Sequence, residues 1–417
     1  MASYTTDSKV FVFPFTRQRE AEETVIGRPE TSVFLVIPHD AVEILDELAT
    51  GKTVGEAQAS YQQKYGEVPD MEDLLGYLES KGFLRPWRQG DEDGDGAILP
   101  SLQSPPAGAP AQVRFHFTNI PQSFARVIFN PRTVAVCGVL IALGLAALIA
   151  EPALFPSWRD LFFRQHMSAI TLTVIALYYL SIFIHEMSHL LAARAAGVSS
   201  RMGISHRLWM LVAETDISGL WSVPKNDRYL PLLAGPLVDA TSASFLLILL
   251  FAQSHHWLAL WPPLAAVARA MLLVYFLSLS WQCFFFVRTD FYYAIATFFG
   301  CKNLLKDTEA FLRNRAARLL PFFKTVDQSQ IPLSERRVIK GYAVIWVLGR
   351  IAALAILVFI HIPLMINYFH LIASTLAGGY HGHADAYLDT LIMASFVSLP
   401  LAVGFWLWIR SLMKAAR

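Results

Sequence analysis

The sequence predicts an all-α polytopic membrane protein of about six transmembrane helices, with a small N-terminal α+β domain of winged-helix-like form. Three observations predict it. Hydrophobic residues make up 54% of the 417-residue chain and charged residues 16%, whereas soluble domains carry about 25% charged residues. The mean hydropathy is +0.42. Long apolar runs recur from residue 130 onward, each near the roughly 20 residues that a helix needs to cross a bilayer. Residues 1–87 instead mix short apolar runs with capping and turn residues, the pattern of a small soluble domain.

In that first stretch Val33–Ile37 (VFLVI) is a strand candidate, and a helix follows over about Ala41–Leu48. Gly51 stops it, and Thr53-Val54-Gly55-Glu56 has the form of a capping box opening a second helix. Gly66 and Pro69 punctuate, Asp70 caps a third helix over Met71–Lys81, and Gly82 ends it before Phe83-Leu84 returns as a strand. Residues 88–112 are rich in Asp, Gly and Pro and read as a flexible linker. Their Asp91-x-Asp93-x-Asp95-Gly96 copies half a calcium loop, but Leu102 stands where the closing Glu belongs, so a solvated linker is the preferred reading.

Residues 113–417 form the membrane domain, with spans expected near 133–150, 168–194, 229–252, 264–287, 340–367 and 388–410. Lys and Arg crowd one set of connections (Arg201, Arg207, Lys225, Arg228, then Arg288 to Lys340, then Arg410 to Arg417). The opposite loops carry only Arg159 and Arg164, with neither Lys nor Arg in 253–262 or 368–387. The positive-inside rule therefore sets both termini in the cytoplasm, with the lipid bilayer as a partner. No cleavable signal is expected, because MASYTTDSKVFVFPF has no charged segment leading into an apolar one. A net charge of +1 argues against nucleic acid as a partner. Cys137, Cys283 and Cys301 are isolated, so neither a disulfide framework nor a cysteine metal site is expected.

The chemistry lies in the second span, which contains His185-Glu186-Met187-Ser188-His189. A charged side chain at a helix centre costs roughly 2.5–3.5 kcal/mol on insertion scales, so an ionisable cluster there marks function by default. Residues four apart share a helical face, so His185 and His189 can offer nitrogens to one ion, expected to be Zn2+. Glu186 is turned about 100° away and is the candidate general base. A catalytic zinc takes a third protein ligand. Among Glu214, Asp216, Asp239 and Asp290, the last is expected, because it follows the inward-running fourth span at the depth of His189; Asp216 and Asp239 are the alternatives.

The H-E-x-x-H span, Ala234-Gly235-Pro236-Leu237 opening the next, and Asp290 after a later one together resemble the site-2 protease family of intramembrane zinc metalloproteases. The family's Leu-Asp-Gly is Thr289-Asp290-Phe291 here. Asn303-Leu304 and Thr215-Asp216-Ile217-Ser218-x-x-Trp221 are similar to a bacterial peptide zinc metalloprotease-like branch, and the match covers about 168–310. The resemblance implies a multi-pass zinc endopeptidase of a bacterial plasma membrane. Its metal ligands would be His185, His189 and Asp290, and its catalytic residue Glu186. Gly235, Pro236, Asp239 and Asn303 would be the candidate substrate-binding residues. Val25–Thr31, Leu48–Val54 and Leu78–Phe83 resemble PqqD-like domains, small winged-helix modules that bind leader peptides of ribosomally made precursors. The expected substrate is then a membrane-embedded or leader-bearing peptide. The alternative is a non-proteolytic component of peptide export or immunity with a structural metal site. His361, His370, His381, His383 and Asp385 fall beyond the outer ends of spans five and six and read as a polar outer loop. Trp257, Trp261, Trp406 and Trp408 read as interfacial belts.

Overall fold

In the computed structural model the described residues are 4–20, 23–28, 31, 33–87, 114–161, 167–207, 210–301, 303–318, 325–328, 331–378, 387–388, 390–392, 394–395 and 406. The linker with its calcium-like run, most of the expected sixth span, His381, His383, Asp385 and Trp408 lie outside them, as do the side chains of Glu214 and His361. The chain is mostly helical, with a small strand-rich N-terminal region.

That region holds five strands and three helices. Strands β2 (Thr16–Arg19), β3 (Glu23–Arg28) and β4 (Val33–Pro38) form an antiparallel meander with Val25 opposite Val36 and Ile26 opposite Leu35. Helices α1 (His39–Ala49), α2 (Val54–Tyr65) and α3 (Met71–Ser80) follow. Strand β5 (Leu84–Pro86) then returns to pair with β1 (Val10–Val12). The local signals act as anticipated. Thr53 and Glu56 exchange both capping-box bonds, at 2.8 and 3.3 Å, and Asp70 accepts from the Asp73 N–H at 3.0 Å. Gly66 closes α2 in the left-handed conformation, at φ +77°. Ile26, Leu45, Leu48, Leu75, Leu78 and Phe83 meet in one buried core.

Residues Met1–Arg114, Ala196–Arg201 and Asp216–Arg228 cluster as one compact unit; Phe115–Ala195, Met202–Thr215 and Tyr229–Arg417 form the other. In the first, Arg228 is buried, donates to Glu20 and to the Val223 carbonyl at 2.9 Å, and lies over the Trp221 ring at 5.2 Å.

In the second unit, five helical stretches among the described residues are long and apolar enough to cross a membrane. They are Gln122–Ala150 (short α4, Gln122–Ile128, then α5, Pro131–Ala150), Ala169–Ala195 within α6 (Met167–Ala195), α7 (Lys225–Ser254), α8 (Pro262–Gln282) and Glu335–Phe359, most of it in α11 (Leu333–Ile356). Ile170 and Val174 of α6 pack on Ala270 and Met271 of α8. Ala243, Leu247 and Leu250 of α7 pack on Ala268 and Leu272 of α8. Helices α9 (Asp290–Phe299) and α10 (Leu304–Ala317) separate α8 from α11.

Three features depart from the sequence reading. The membrane domain is not purely helical: β7 (Arg201–Arg207) and β8 (Met210–Asp216) join β6 (Arg114–His116) in a three-stranded sheet. Their runs are too short to span as helices, and Met202 and Ile204 alternate with Arg201, Gly203 and Ser205, a period-2 signal. The fourth span ends at Gln282, five residues earlier than the expected 287, leaving a turn before α9. Beyond α11, a π-helical turn at Leu357–His361 leads into α12 (Ile362–Gly378), so residues 368–378 of the expected outer loop are helical. Pro363 lacks an N–H for the preceding turn, which fits a π-type adjustment there.

Candidate metal centre

The site is assembled from three helices and one capped turn. Within α6 the four-residue spacing puts both imidazoles on one face, with Nε2 of His185 and Nε2 of His189 3.2 Å apart. Asp290 is the first residue of α9, where Thr289 caps the helix by accepting from the Tyr292 N–H at 3.3 Å. Its Oδ2 lies 3.2 Å from His185 Nε2 and 3.4 Å from His189 Nε2. Donors held at 2.0–2.1 Å with tetrahedral angles sit about 3.3 Å from one another. The three atoms therefore already have the spacing of three corners of one coordination tetrahedron, and this group can hold a metal ion.

Both rings are fixed by their other nitrogen. His185 Nδ1 donates to Asp239 Oδ2 at 2.9 Å, an oxygen that also accepts from the Ser278 hydroxyl at 2.9 Å. His189 Nδ1 donates to the Pro231 carbonyl at 2.7 Å. A carbonyl only accepts, so His189 carries a proton on Nδ1, which leaves Nε2 as the nitrogen able to ligate an ion. A carboxylate beside His185 enforces the same choice. Asp239, buried at 3% exposure, meets His185 at Nδ1, on the far side of the ring from the Nε2 that faces His189 and Asp290, so it sits as a partner of His185 outside the three-atom group.

Gly235 faces the pair from α7. A Cβ there would lie 2.4 Å from His185 Nε2 and 2.5 Å from His189 Nε2, inside any real contact distance. Only a residue without a side chain leaves that space for an ion. Pro236 follows as a second proline inside α7, after Pro231.

Glu186 is half-buried. Its Oε2 accepts from the Thr215 N–H at 3.0 Å, and the Thr215 hydroxyl donates to the Glu186 carbonyl at 2.9 Å, so β8 braces this carboxylate. Asp216 takes no part in the metal group. Burial raises its pKa, but the Ser218 hydroxyl and N–H and the Arg201 guanidinium, at 2.9 Å, outweigh that and hold it below the usual carboxylate value. Asn303 is the N-cap residue of α10 and makes no side-chain capping bond.

Ser278 and Gln282 carry no role in the sequence reading, and Thr215 appears there only as part of a motif. Gln282 had a signal, as an amide at the end of a largely apolar helix; the bonds from the Thr215 N–H and hydroxyl to Glu186 depend on where β8 meets α6. Comparison of the chain with protein-family models, with curated proteins and with solved structures finds no match.

Proposed function

We propose that the protein is an intramembrane zinc metalloprotease that hydrolyses a peptide bond in a membrane-associated protein or a ribosomally made precursor. The observation that carries this reading is the His185–His189–Asp290 triangle with Glu186 adjoining it in the same helix turn. Two imidazoles and one carboxylate form a borderline donor set that suits Zn2+, and three protein ligands leave the open position of a catalytic rather than a structural site. When bound, the ion would acidify a water and polarise the scissile carbonyl.

The remaining steps belong to the chain. Glu186 takes the water's proton on the oxygen that Thr215 leaves unbraced and delivers it to the departing amine. Asp239 and the Pro231 carbonyl keep both imidazoles in one tautomer throughout. A helical substrate hides its carbonyls in hydrogen bonds and must unwind before attack. Pro236 supplies no N–H to the preceding turn of α7, and we place an extended substrate along that stretch, beside Gly235.

The basic connections orient the helices with both termini in the cytoplasm. The N-terminal unit is assigned the winged-helix, PqqD-like role of binding a leader peptide. In its sheet order β2-β3-β4 the first and last strands are edges, and an edge can accept a peptide as an added strand. The deciding experiment purifies wild type and Glu186→Gln in detergent and incubates each with membrane-tethered peptide substrates. The variant is expected to keep its zinc and lose about 10²–10⁴-fold in cleavage, the range for a general base. Equal product from the two, read by mass spectrometry, overturns the protease reading.

A further inference from the structure

Gln282 is the last residue of α8, 7% exposed, and separated from α9 by the turn 283–289. Its amide grips Asp290 twice. Nε2 donates to Asp290 Oδ2 at 2.9 Å, and Oε1 accepts from the Asp290 N–H at 3.0 Å. A third bond closes the loop, from the Thr289 hydroxyl to the Gln282 carbonyl at 2.9 Å. The oxygen that receives the amide proton is the same Oδ2 that faces both imidazoles.

We infer that Gln282 is a positioning residue for the metal, setting both the place and the rotamer of its carboxylate ligand Asp290; this rests on the metal-site reading above. The physical need is specific to Asp290. The two histidines have backbones held within one helix and rings held by Asp239 and the Pro231 carbonyl, whereas Asp290 arrives after a turn and starts a new helix. A ligand at a helix start has free side-chain rotation unless something pins it. One side chain that reads the backbone N–H and the carboxylate together removes that freedom. The bond from Nε2 occupies one lone-pair direction of Oδ2 and leaves the other towards the ion. It also forbids the second amide orientation, because an amide oxygen at 2.9 Å from Oδ2 would repel it.

The test is a Co2+ titration of the full chain in detergent, followed by the d–d absorption of the bound ion. Gln282→Met preserves length and removes both grips. It is expected to bind Co2+ about 10–100-fold more weakly, the usual scale for losing a ligand's supporting partner. The absorption band should also shift in position or intensity, which loss of stability alone does not cause, while the metal-free melting temperature stays near that of the wild type. Wild-type affinity with an unchanged spectrum overturns the inference. If Gln282→Met does not fold, Gln282→Glu keeps an acceptor for the Asp290 N–H and removes only the donor, and the same two outcomes decide. Asp290→Ala, run in parallel, separates the metal site from the role of Gln282. Full Co2+ binding by Asp290→Ala sinks the metal site itself. Loss there, with wild-type behaviour at Gln282→Met, sinks only the role of Gln282.

Discussion

At Gly235 the backbone of one helix approaches two ring nitrogens on another so closely that a single methyl group would occupy the ion's place. Gly235→Ala is therefore expected to abolish zinc retention by the purified chain while leaving it helical, measured as metal content beside circular dichroism. Asp239 gives a graded counterpart. Asp239→Ala removes the acceptor for His185 Nδ1–H and should weaken Zn2+ binding about 10–100-fold, read by competition with a chelator. These two residues also show what a sequence conceals at this scale. His185, Glu186 and His189 were legible because one helix turn sets their geometry. Asp239 is a carboxylate in an apolar run whichever role it plays, and only its 2.9 Å bond to His185 separates partner from ligand.

At the scale of elements, caps and periodicity placed α2 and α3 to within a residue or so, because each cap is a bond between neighbours three positions apart. Strands β7 and β8 have no place in the sequence reading, and one part of their sheet is not local: β7 pairs with β6, more than 80 residues earlier in the chain, as well as with β8. Its end carries a pH-dependent contact. Asp216 has a folded-state pKa below its ordinary value of about 3.9, so its contribution to stability is complete above that pH and is lost as pH falls through the lower folded value. Asp216→Asn should therefore flatten the acid limb of stability below about pH 4, as followed by thermal melting across pH. In the N-terminal unit, Thr53→Ala deletes one side of the capping box and should cost about 0.5–2 kcal/mol, visible as faster amide exchange in α2.

At the scale of the molecule, an ion held by the proposed site would link metal and fold. An ion that binds only the folded chain at 100 times its Kd adds about 2.7 kcal/mol of stability. Chelation should lower the melting temperature, and Zn2+ should restore it in wild type but not in His189→Ala, measured by differential scanning fluorimetry in detergent. An unchanged melting curve across all three conditions would remove the metal from the picture.

The sequence by itself determined that the chain has helices long and apolar enough to cross a membrane, that a small capped-helix domain precedes them, and that α6 carries two imidazoles able to share an ion. Apolar length, caps and four-residue spacing are properties of neighbouring residues, and neighbours suffice to read them. Only the tertiary structure decided that Asp290 and not Asp239 or Asp216 completes the donor triangle, that Gln282 and Pro231 hold two of its members in place, and that Thr215 holds Glu186. Those choices depend on where separate helices cross and which rotamer each side chain takes at the crossing. Such information is distributed over the packing of α6, α7 and α8, where contacts between residues 29 to 105 positions apart set angles that no local pattern encodes.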